Sequence, residues 1–248
     1  MSKYNYYSLK ELSAKREANF YGIIVDATFP CKEEVEDTVY VSTIKVIDHT
    51  INFTNDPIEV SNHMIYITIK SDLLEYLPFV HNVGDIIRIH RGTYSHKTKR
   101  NVYLNLESKG PLKSAWCIFS GASDYSLKNI EPIACSSRTF TWEDIDTHYI
   151  SALKNWLKKY IKNAGSLVYP KTVKLVDRNR EIAQEKDLLA HVTHKAKNGT
   201  DAISLFIQDE TDACEMVVYN IYNYISPGDV IRIRSFKTFQ KYIFYLEI

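Results

Sequence analysis

A segment of eight residues occurs twice in this chain with three changes, and it limits the possible folds more than any other feature. Residues 83–90 read VGDIIRIH and residues 227–234 read PGDVIRIR. In each copy a Gly-Asp turn precedes a strand in which apolar and basic residues alternate, so that Arg88 and His90 face away from Ile87 and Ile89. The repeat predicts a small β module that is used twice, with a cationic outer face suited to a polyanion.

The length of the chain supports two modules. Gly84 and Gly228 are 144 residues apart (228 − 84) in a chain of 248, which leaves each module room for its own core. The net charge is only +1, so phosphate binding would require the basic residues to cluster on one face. Neither a transmembrane stretch nor a secretory signal is recognisable, and a soluble intracellular protein without a membrane partner is expected.

The first module has the strand order of a known barrel. Apolar alternation and β-branched residues predict five strands, with a short helix at 71–77 that is capped by Ser71 or Asp72 and closed by Pro78. Five strands with a helix between the third and the fourth are typical of the OB fold. The predicted strands are 20–26, 39–48, 64–70, the segment after Gly84-Asp85, and 102–106.

The second half repeats this order of strands after a segment in which the apolar residues recur with the period of a helix. Residues 136–162 show the three-to-four spacing of an amphipathic helix, and 165–186 have the polar composition of a connector. We therefore predict an all-β protein of two tandem OB-fold barrels joined by an α-helical connector. The domains are 1–135, 136–186 and 187–248, and the second set of strands is 187–194, 202–209, 215–219, 229–237 and 242–247.

Signatures of catalysis are missing from the sequence. It contains no Gly-rich phosphate loop, no G-x-S-x-G and no H-E-x-x-H motif. His191 and His194 are three residues apart in a predicted strand, which would place them on opposite faces and make them poor joint metal ligands. The four cysteines form no C-x-x-C pair. We expect no enzyme activity, no cofactor, no metal and no small-molecule substrate.

Two hairpins combine basic and aromatic residues. Single-stranded nucleic acid requires this mixture, because cations follow the backbone while rings stack on bases for about 1–3 kcal/mol each. The alternative is an ordinary solvated hairpin, but the loop between strands four and five borders the OB groove. The candidate contacts are Arg91, Tyr94, Lys97, Lys99, Arg100 and Tyr103 in the first hairpin, and Arg234, Phe236, Phe239 and Tyr242 in the second.

Several stretches resemble a known family in the same order along the chain. They are 20–32 (FYGIIVDATFPCK), 44–48 (IKVID), 77–91 (LPFVHNVGDIIRIHR), 136–156 (SSRTFTWEDIDTHYISALKNW) and 228–235 (GDVIRIRS). They are similar to the DNA-binding part of the telomere end-binding protein alpha subunit of ciliates and, more distantly, to the protection-of-telomeres proteins. The resemblance implies two OB folds that clamp the single-stranded, G-rich 3′ overhang of a chromosome end in the nucleus.

The resemblance also implies individual contacts. Lys32, Lys45 and Arg91 fall on basic positions that the family uses near DNA, whereas Lys70 and Lys97 stand where relatives carry aromatic rings. Exchange of rings for cations predicts a weaker dependence on base identity and a more salt-sensitive grip. The alternative is an OB-fold protein-interaction subunit of a telomere or telomerase complex that binds DNA weakly or not at all.

Overall fold

The chain divides into two compact units, Met1–Tyr169 and Pro170–Ile248. The structure is a computed structural model. It describes residues 4–33, 38–50, 63–95, 100–106, 114–122, 131–138, 140–164, 172–177, 187–199, 202–219, 225–233, 237–239 and 242–244. Within these ranges no helix is long and apolar enough to cross a membrane.

The described residues of the first unit form nine strands and one long helix. The strands are β1 (Tyr6–Tyr7), β2 (Glu17–Ala27), β3 (Cys31–Lys32), β4 (Tyr40–Ile47), β5 (Ile65–Ser71), β6 (Ile86–Ser95), β7 (Asn101–Leu106), β8 (Ala115–Phe119) and β9 (Ala134–Cys135), and the helix is α1 (Asp144–Ala164). Short 3-10 helices cover Leu9–Ala14 and Leu74–Tyr76.

Five of these strands close into a barrel. The hydrogen-bonded order is β2, β4, β5, β7, β6 and back to β2, with β5 and β7 parallel and the other pairs antiparallel. Counting only these five strands along the chain, the order is 1-2-3-5-4-1, the five-stranded Greek-key barrel of the OB fold. Alternate residues such as Ile44, Ile67 and Leu104 fill its interior. The OB-fold prediction is therefore confirmed for this unit.

The second unit repeats these pairings. Its strands are β10 (Thr172–Val173), β11 (Asp187–Asn198), β12 (Ala202–Gln208), β13 (Ala213–Tyr219), β14 (Val230–Ile233), β15 (Lys237–Phe239) and β16 (Tyr242–Phe244). Strand β11 pairs with β12 and β14, β12 with β13, β13 in parallel with β16, and β16 with β15. Residues 234–236, between β14 and β15, lie outside the described ranges.

The duplicated Gly-Asp turns are equivalent in their backbone hydrogen bonds. The N–H of Gly84 donates to the carbonyl of Ile24, and the N–H of Ile24 donates to the carbonyl of the aspartate after Gly84, each at 2.8 Å. Gly228 and Val192 form the same two bonds at 2.8 Å. Gly84 and Gly228 have φ values of 98° and 102°, a region that favours glycine. The sequence repeat therefore marks a structural repeat.

A second repeated feature is an aspartate that ties the N-terminal segment of each unit to the end of a long strand, β4 or β12. In each unit a short strand, β1 or β10, pairs in parallel with the first long strand, β2 or β11, and leads into a 3-10 helix. A carboxylate oxygen of Asp48 accepts the N–H of Leu9 at 2.8 Å, and Asp209 accepts the N–H of Leu175 at 2.8 Å. Both leucines are buried, so the preceding segment is an integral part of each unit.

Two predicted helices differ from the observed ones. The long helix begins at Asp144 rather than at 136, because Ser136 continues the pairing with β8 by exchanging hydrogen bonds with Trp116. The short helix is only the 3-10 turn Leu74–Tyr76. Ser71 belongs to β5 and accepts the N–H of Leu73 at 3.0 Å, so it does not act as a helix cap.

The cationic outer face predicted for the first copy of the repeat is wrong. Helix α1 packs Ile150, Leu153 and Leu157 over the outer surface of β2, β6 and β8, and Arg88 is left only 2% exposed. Its Nη1 lies 3.1 Å from Oδ2 of Asp146 in the first turn of α1. The basic residue serves an internal ion pair because a helix, which strand alternation alone cannot foresee, covers this face.

Tyrosines and a histidine complete the buried cluster around Asp146. Tyr6 and Tyr21 both donate hydrogen bonds to Oδ1 of Asp146, and the hydroxyl of Tyr6 also lies 2.8 Å from Nε2 of His90. Burial, together with the nearby carboxylate, raises the pKa of both tyrosines. Burial and the charge of Arg88 lower the pKa of His90 to about 4, so this imidazole is neutral at physiological pH.

Candidate nucleic-acid interface

The outer face of β4, β5 and β7 carries polar, basic and aromatic side chains in three rows. Alternation along each strand buries one set of side chains and leaves the other set at least partly exposed. The strand register aligns the exposed sets. The rows are Lys45, Tyr66 and Asn101; Thr43, Thr68 and Tyr103; and Val41, Lys70 and Asn105. In OB folds the face of strands two and three is the oligonucleotide-binding surface.

Lys45 stands at one end of this face between a carboxylate and a ring. Its Nζ lies 3.1 Å from Oδ2 of Asp26 on β2 and 5.4 Å from the centre of the Tyr66 ring. The ion pair and the cation–π contact both hold the ammonium in place. The first row therefore offers a fixed cation and an aromatic surface side by side.

Lys70 stands at the other end of the face and is also paired. Its Nζ forms a salt bridge with Glu33, which follows β3. Lys32 on β3 is exposed and is the strand partner of Tyr40 on β4. The next residue of β4, Val41, is the strand partner of Lys70. The structure thus brings Lys45 and Lys70 to one face of the first barrel, each paired with a carboxylate. Lys32 lies in the row of Tyr40 and Ser71, which alternates with the row of Lys70, so the register does not place it on this face.

The two hairpin tyrosines have different locations. Tyr103 lies in the middle row of the face, opposite Thr68. Tyr94 points into the barrel and is 8% exposed, packed among the core residues, and its hydroxyl accepts the N–H of Arg100 at 3.0 Å. Arg100 has a φ of 74°, and its carbonyl accepts the N–H of Tyr66. Tyr94 therefore holds the hairpin in shape, whereas Tyr103 belongs to the exposed rows.

Arg91 lies at a β-bulge on a different part of the barrel. The register between β2 and β6 shifts between Ala18 and Phe20, and Arg91 has a φ of 55° there. Its N–H donates to Oδ1 of Asn19 at 2.9 Å, and its carbonyl accepts the hydroxyl of Ser114 at 2.9 Å. These bonds fix an unusual backbone for a residue that is not glycine, and such bulges often redirect a side chain.

The remaining predicted contacts fall wholly or partly outside the described residues. Lys97, Lys99, Arg234 and Phe236 lie outside them. Phe239 and Tyr242 are described only through the backbone of β15 and β16, where they are strand partners. These residues remain predictions. Within the described ranges no group of three His, Cys, Asp or Glu side chains could hold a metal ion.

A family model for telomeric single-stranded DNA-binding proteins of the POT1/CDC13 type matches residues 1–167, two thirds of the chain. This chain belongs to that family. The match covers the first barrel, with its rows on β4, β5 and β7, and helix α1. The resemblance recognised in the sequence is therefore confirmed.

Individual members of the telomere-binding group are similar over most of the chain. The telomere-binding protein 51 kDa subunit of Euplotes crassus is 27% identical over 245 residues, covering 92% of this chain and 52% of its own length. The telomere-binding protein subunit alpha of Stylonychia mytilus is 25% identical over 262 residues, covering 94% and 49%. A crystal structure of fission yeast Pot1 with single-stranded DNA has a TM-score of 0.49 at 13% identity, covering 95% and 80%. The chain spans about half the length of the curated relatives it matches.

The candidates chosen from the sequence do not include one aromatic residue of the outer face of β4, β5 and β7. Tyr66 shares the outer face of β5 with Lys70, since residues 66, 68 and 70 alternate with buried ones. Lys70 was identified through the family resemblance, and the period of two should have added Tyr66 four positions earlier. Strand pairing with Lys45, which no local pattern indicates, is what makes Tyr66 part of the site.

Proposed function

We propose that this protein binds single-stranded, G-rich telomeric DNA and caps the 3′ overhang at chromosome ends in the nucleus, without catalysing a reaction. The observation that supports this most directly is the face of β4, β5 and β7, where Lys45 and Tyr66 lie side by side with Tyr103 in the next row. It lies on the OB surface that takes oligonucleotides, in a chain of a telomeric single-stranded DNA-binding family.

The chemistry of the face suits an unpaired strand. Tyrosine rings offer a surface on which exposed bases can stack, and the lysines attract phosphates. A duplex hides its base faces and cannot use the rings in this way. The proposed binding mode therefore selects single strands over duplexes.

The ion pairs limit the electrostatic part of binding. Lys45 and Lys70 are held by Asp26 and Glu33, so a phosphate must compete with a carboxylate at each position. The weaker charge attraction shifts the balance towards stacking. The sequence alone predicts a more salt-sensitive grip, but because these two lysines are paired we now expect a smaller dependence of affinity on salt than the number of lysines would indicate.

Fluorescence anisotropy with the full chain tests the proposal. Three labelled oligonucleotides of equal length are compared: a G-rich telomeric strand, a scrambled strand of the same composition, and the duplex of the first. We expect the G-rich strand to bind most tightly and the duplex most weakly. Equal, weak binding to all three would contradict the proposal.

A second candidate function is favoured by the same ion pairs. A face whose lysines are already neutralised is also compatible with a protein-interaction subunit of a telomere or telomerase complex. That function predicts negligible DNA binding and a co-purifying protein. The substitutions Lys45→Ala and Tyr66→Ala separate the two functions, because a loss of measurable DNA affinity in both variants supports DNA binding.

A further inference from the structure

The strand register places an aromatic pair in the second unit where the first unit has its Asp26–Lys45 ion pair. In the first unit Asp26 lies opposite Lys45, and Lys45 lies opposite Tyr66. In the second unit His194 lies opposite Phe206, and Phe206 lies opposite Glu215. A β-bulge occurs at the same point of both first barrel strands, between Ile24 and Asp26 and between Val192 and His194.

The bulge also explains why both histidines are at the surface. In a regular strand a spacing of three would place His191 and His194 on opposite faces. This expectation is wrong because the bulge adds one residue between them. Val192 remains in the core while His191, Thr193 and His194 are exposed. His194 is thereby brought to the outer surface beside Phe206.

The two rings form a contact that remains open to solvent. Their centroids are 5.6 Å apart with an interplanar angle of 49°, and Phe206 is 37% exposed. The hydroxyl of Thr193 donates to the carbonyl of Phe206 at 3.0 Å and joins the two strands at this point. The rings are thus held on paired strands rather than on a loop.

The third member of the row is acidic. Glu215 lies directly opposite Phe206, and side chains in such a pair are neighbours on the same face of the sheet. A carboxylate repels phosphate but accepts hydrogen bonds from N–H groups. The row therefore suits the edge and face of a nucleobase better than the backbone of a strand.

We propose that His194 and Phe206 form a nucleobase-stacking platform in the second unit, with Glu215 as an acceptor for N–H groups at the edge of the stacked base. This proposal rests on the proposed function, since it adds a contact for the same single strand. It assigns the two units different tasks at equivalent positions: a paired cation beside a ring in the first, and a pair of rings beside a carboxylate in the second.

The test compares Phe206→Ala with Phe206→Trp, which keeps a ring, and with the control Phe140→Ala. Phe140 is a matched exposed phenylalanine, 41% exposed, that precedes α1 in the first unit. Affinity for the G-rich strand is measured by anisotropy with each full-length variant, after circular dichroism has shown unchanged folding. Loss of one stacked base weakens binding at least about five-fold.

We expect this loss for Phe206→Ala, with less than a two-fold change for Phe206→Trp and for Phe140→Ala. Unchanged affinity of Phe206→Ala, in a protein whose binding is weakened by Tyr66→Ala, would overturn the platform and leave the proposed function standing. Failure of the unmodified chain to prefer the G-rich strand over the duplex would overturn both. The two failures are therefore distinguishable.

Discussion

The two units share one backbone design but treat its outer surface in opposite ways. On the first barrel, helix α1 covers the strand after the Gly-Asp turn and buries Arg88 against Asp146. In the second unit, the equivalent strand β14 leaves Val230 64% exposed, and the neighbouring Leu189 on β11 is 49% exposed. An alternating basic strand therefore does not by itself indicate an anion-binding surface, because what packs on it decides the fate of its charges.

The strongest test of this difference is removal of the acid that neutralises Arg88. Asp146→Ala leaves a buried guanidinium without its carboxylate and removes the acceptor of Tyr6 and Tyr21. We expect the free energy of unfolding of the first unit to fall by about 3–5 kcal/mol, measured by chemical denaturation.

The double variant Arg88→Met with Asp146→Leu is the matched control, because it removes both charges together and should recover the part of the loss that comes from the unpaired guanidinium, while the hydroxyls of Tyr6 and Tyr21 still lack their acceptor. A loss below about 1 kcal/mol for Asp146→Ala alone would show that α1 does not seal this face.

The buried His90 makes the first unit sensitive to mild acid. Its folded pKa of about 4 lies below the ordinary value near 6.5, so the stabilising effect of the neutral ring is complete above pH 6.5 and is lost as pH falls towards 4. We expect the free energy of unfolding to fall by up to about 3 kcal/mol over this interval. His90→Gln should flatten the pH profile, and an equally steep profile in that variant would contradict the assignment.

The repeated aspartates, Asp48 and Asp209, form equivalent hydrogen bonds that differ in how deeply they are buried. Asp48→Ala removes the acceptor of the buried Leu9 N–H and should cost about 1–3 kcal/mol. Asp209 is less buried, and its removal should cost about 1 kcal/mol. Thermal unfolding of both variants measures the difference, and a larger loss for Asp209→Ala would contradict the comparison.

The hydrogen bonds of Asp209 should be lost only at low pH. Burial raises the pKa of Asp209, but the hydroxyl of Thr211 and the backbone N–H groups of Leu175, Thr211 and Asp212 outweigh it and lower the pKa to about 2. The contribution of Asp209 is therefore complete above about pH 4 and is lost only as pH falls towards 2.

The smallest expected effects concern the paired lysines of the exposed face. Lys70→Ala should lower the slope of log affinity against log salt for the G-rich strand by at most about 0.7, the value for one phosphate on a single strand. Glu33→Gln should increase affinity, because it frees Lys70 for phosphate. Identical slopes in the unmodified chain, Lys70→Ala and Glu33→Gln would show that Lys70 does not contact the phosphate backbone of the DNA.

The sequence predicts the barrel well because alternation and the Gly-Asp turn are local signals. Ile87 and Ile89 lie in the first core as their spacing requires. The site is less predictable because it depends on which strands pair. Tyr94 and Tyr103 look equivalent in the hairpin, yet only Tyr103 shares the face of Lys45 and Lys70.

Bulges and helix packing explain the other differences between the sequence-based predictions and the structure. One extra residue before His194 reverses its expected direction, and no composition signal marks that position. Helix α1 was expected from its period, but the surface that it covers is set by the tertiary fold. The ion pairs of Lys45 and Lys70 involve partners 19 and 37 residues earlier in the chain, counted from Asp26 (45 − 26) and Glu33 (70 − 33).

Photo-crosslinking tests the central claim most directly. A G-rich telomeric strand that carries 4-thiothymidine at successive positions is irradiated with the full chain, and the linked peptides are identified by mass spectrometry. We predict links to β4 and β5 around Tyr66 in the first unit and to β12 around Phe206 in the second. Links confined to helix α1 or to the face of Leu189 and Val230 would contradict this account.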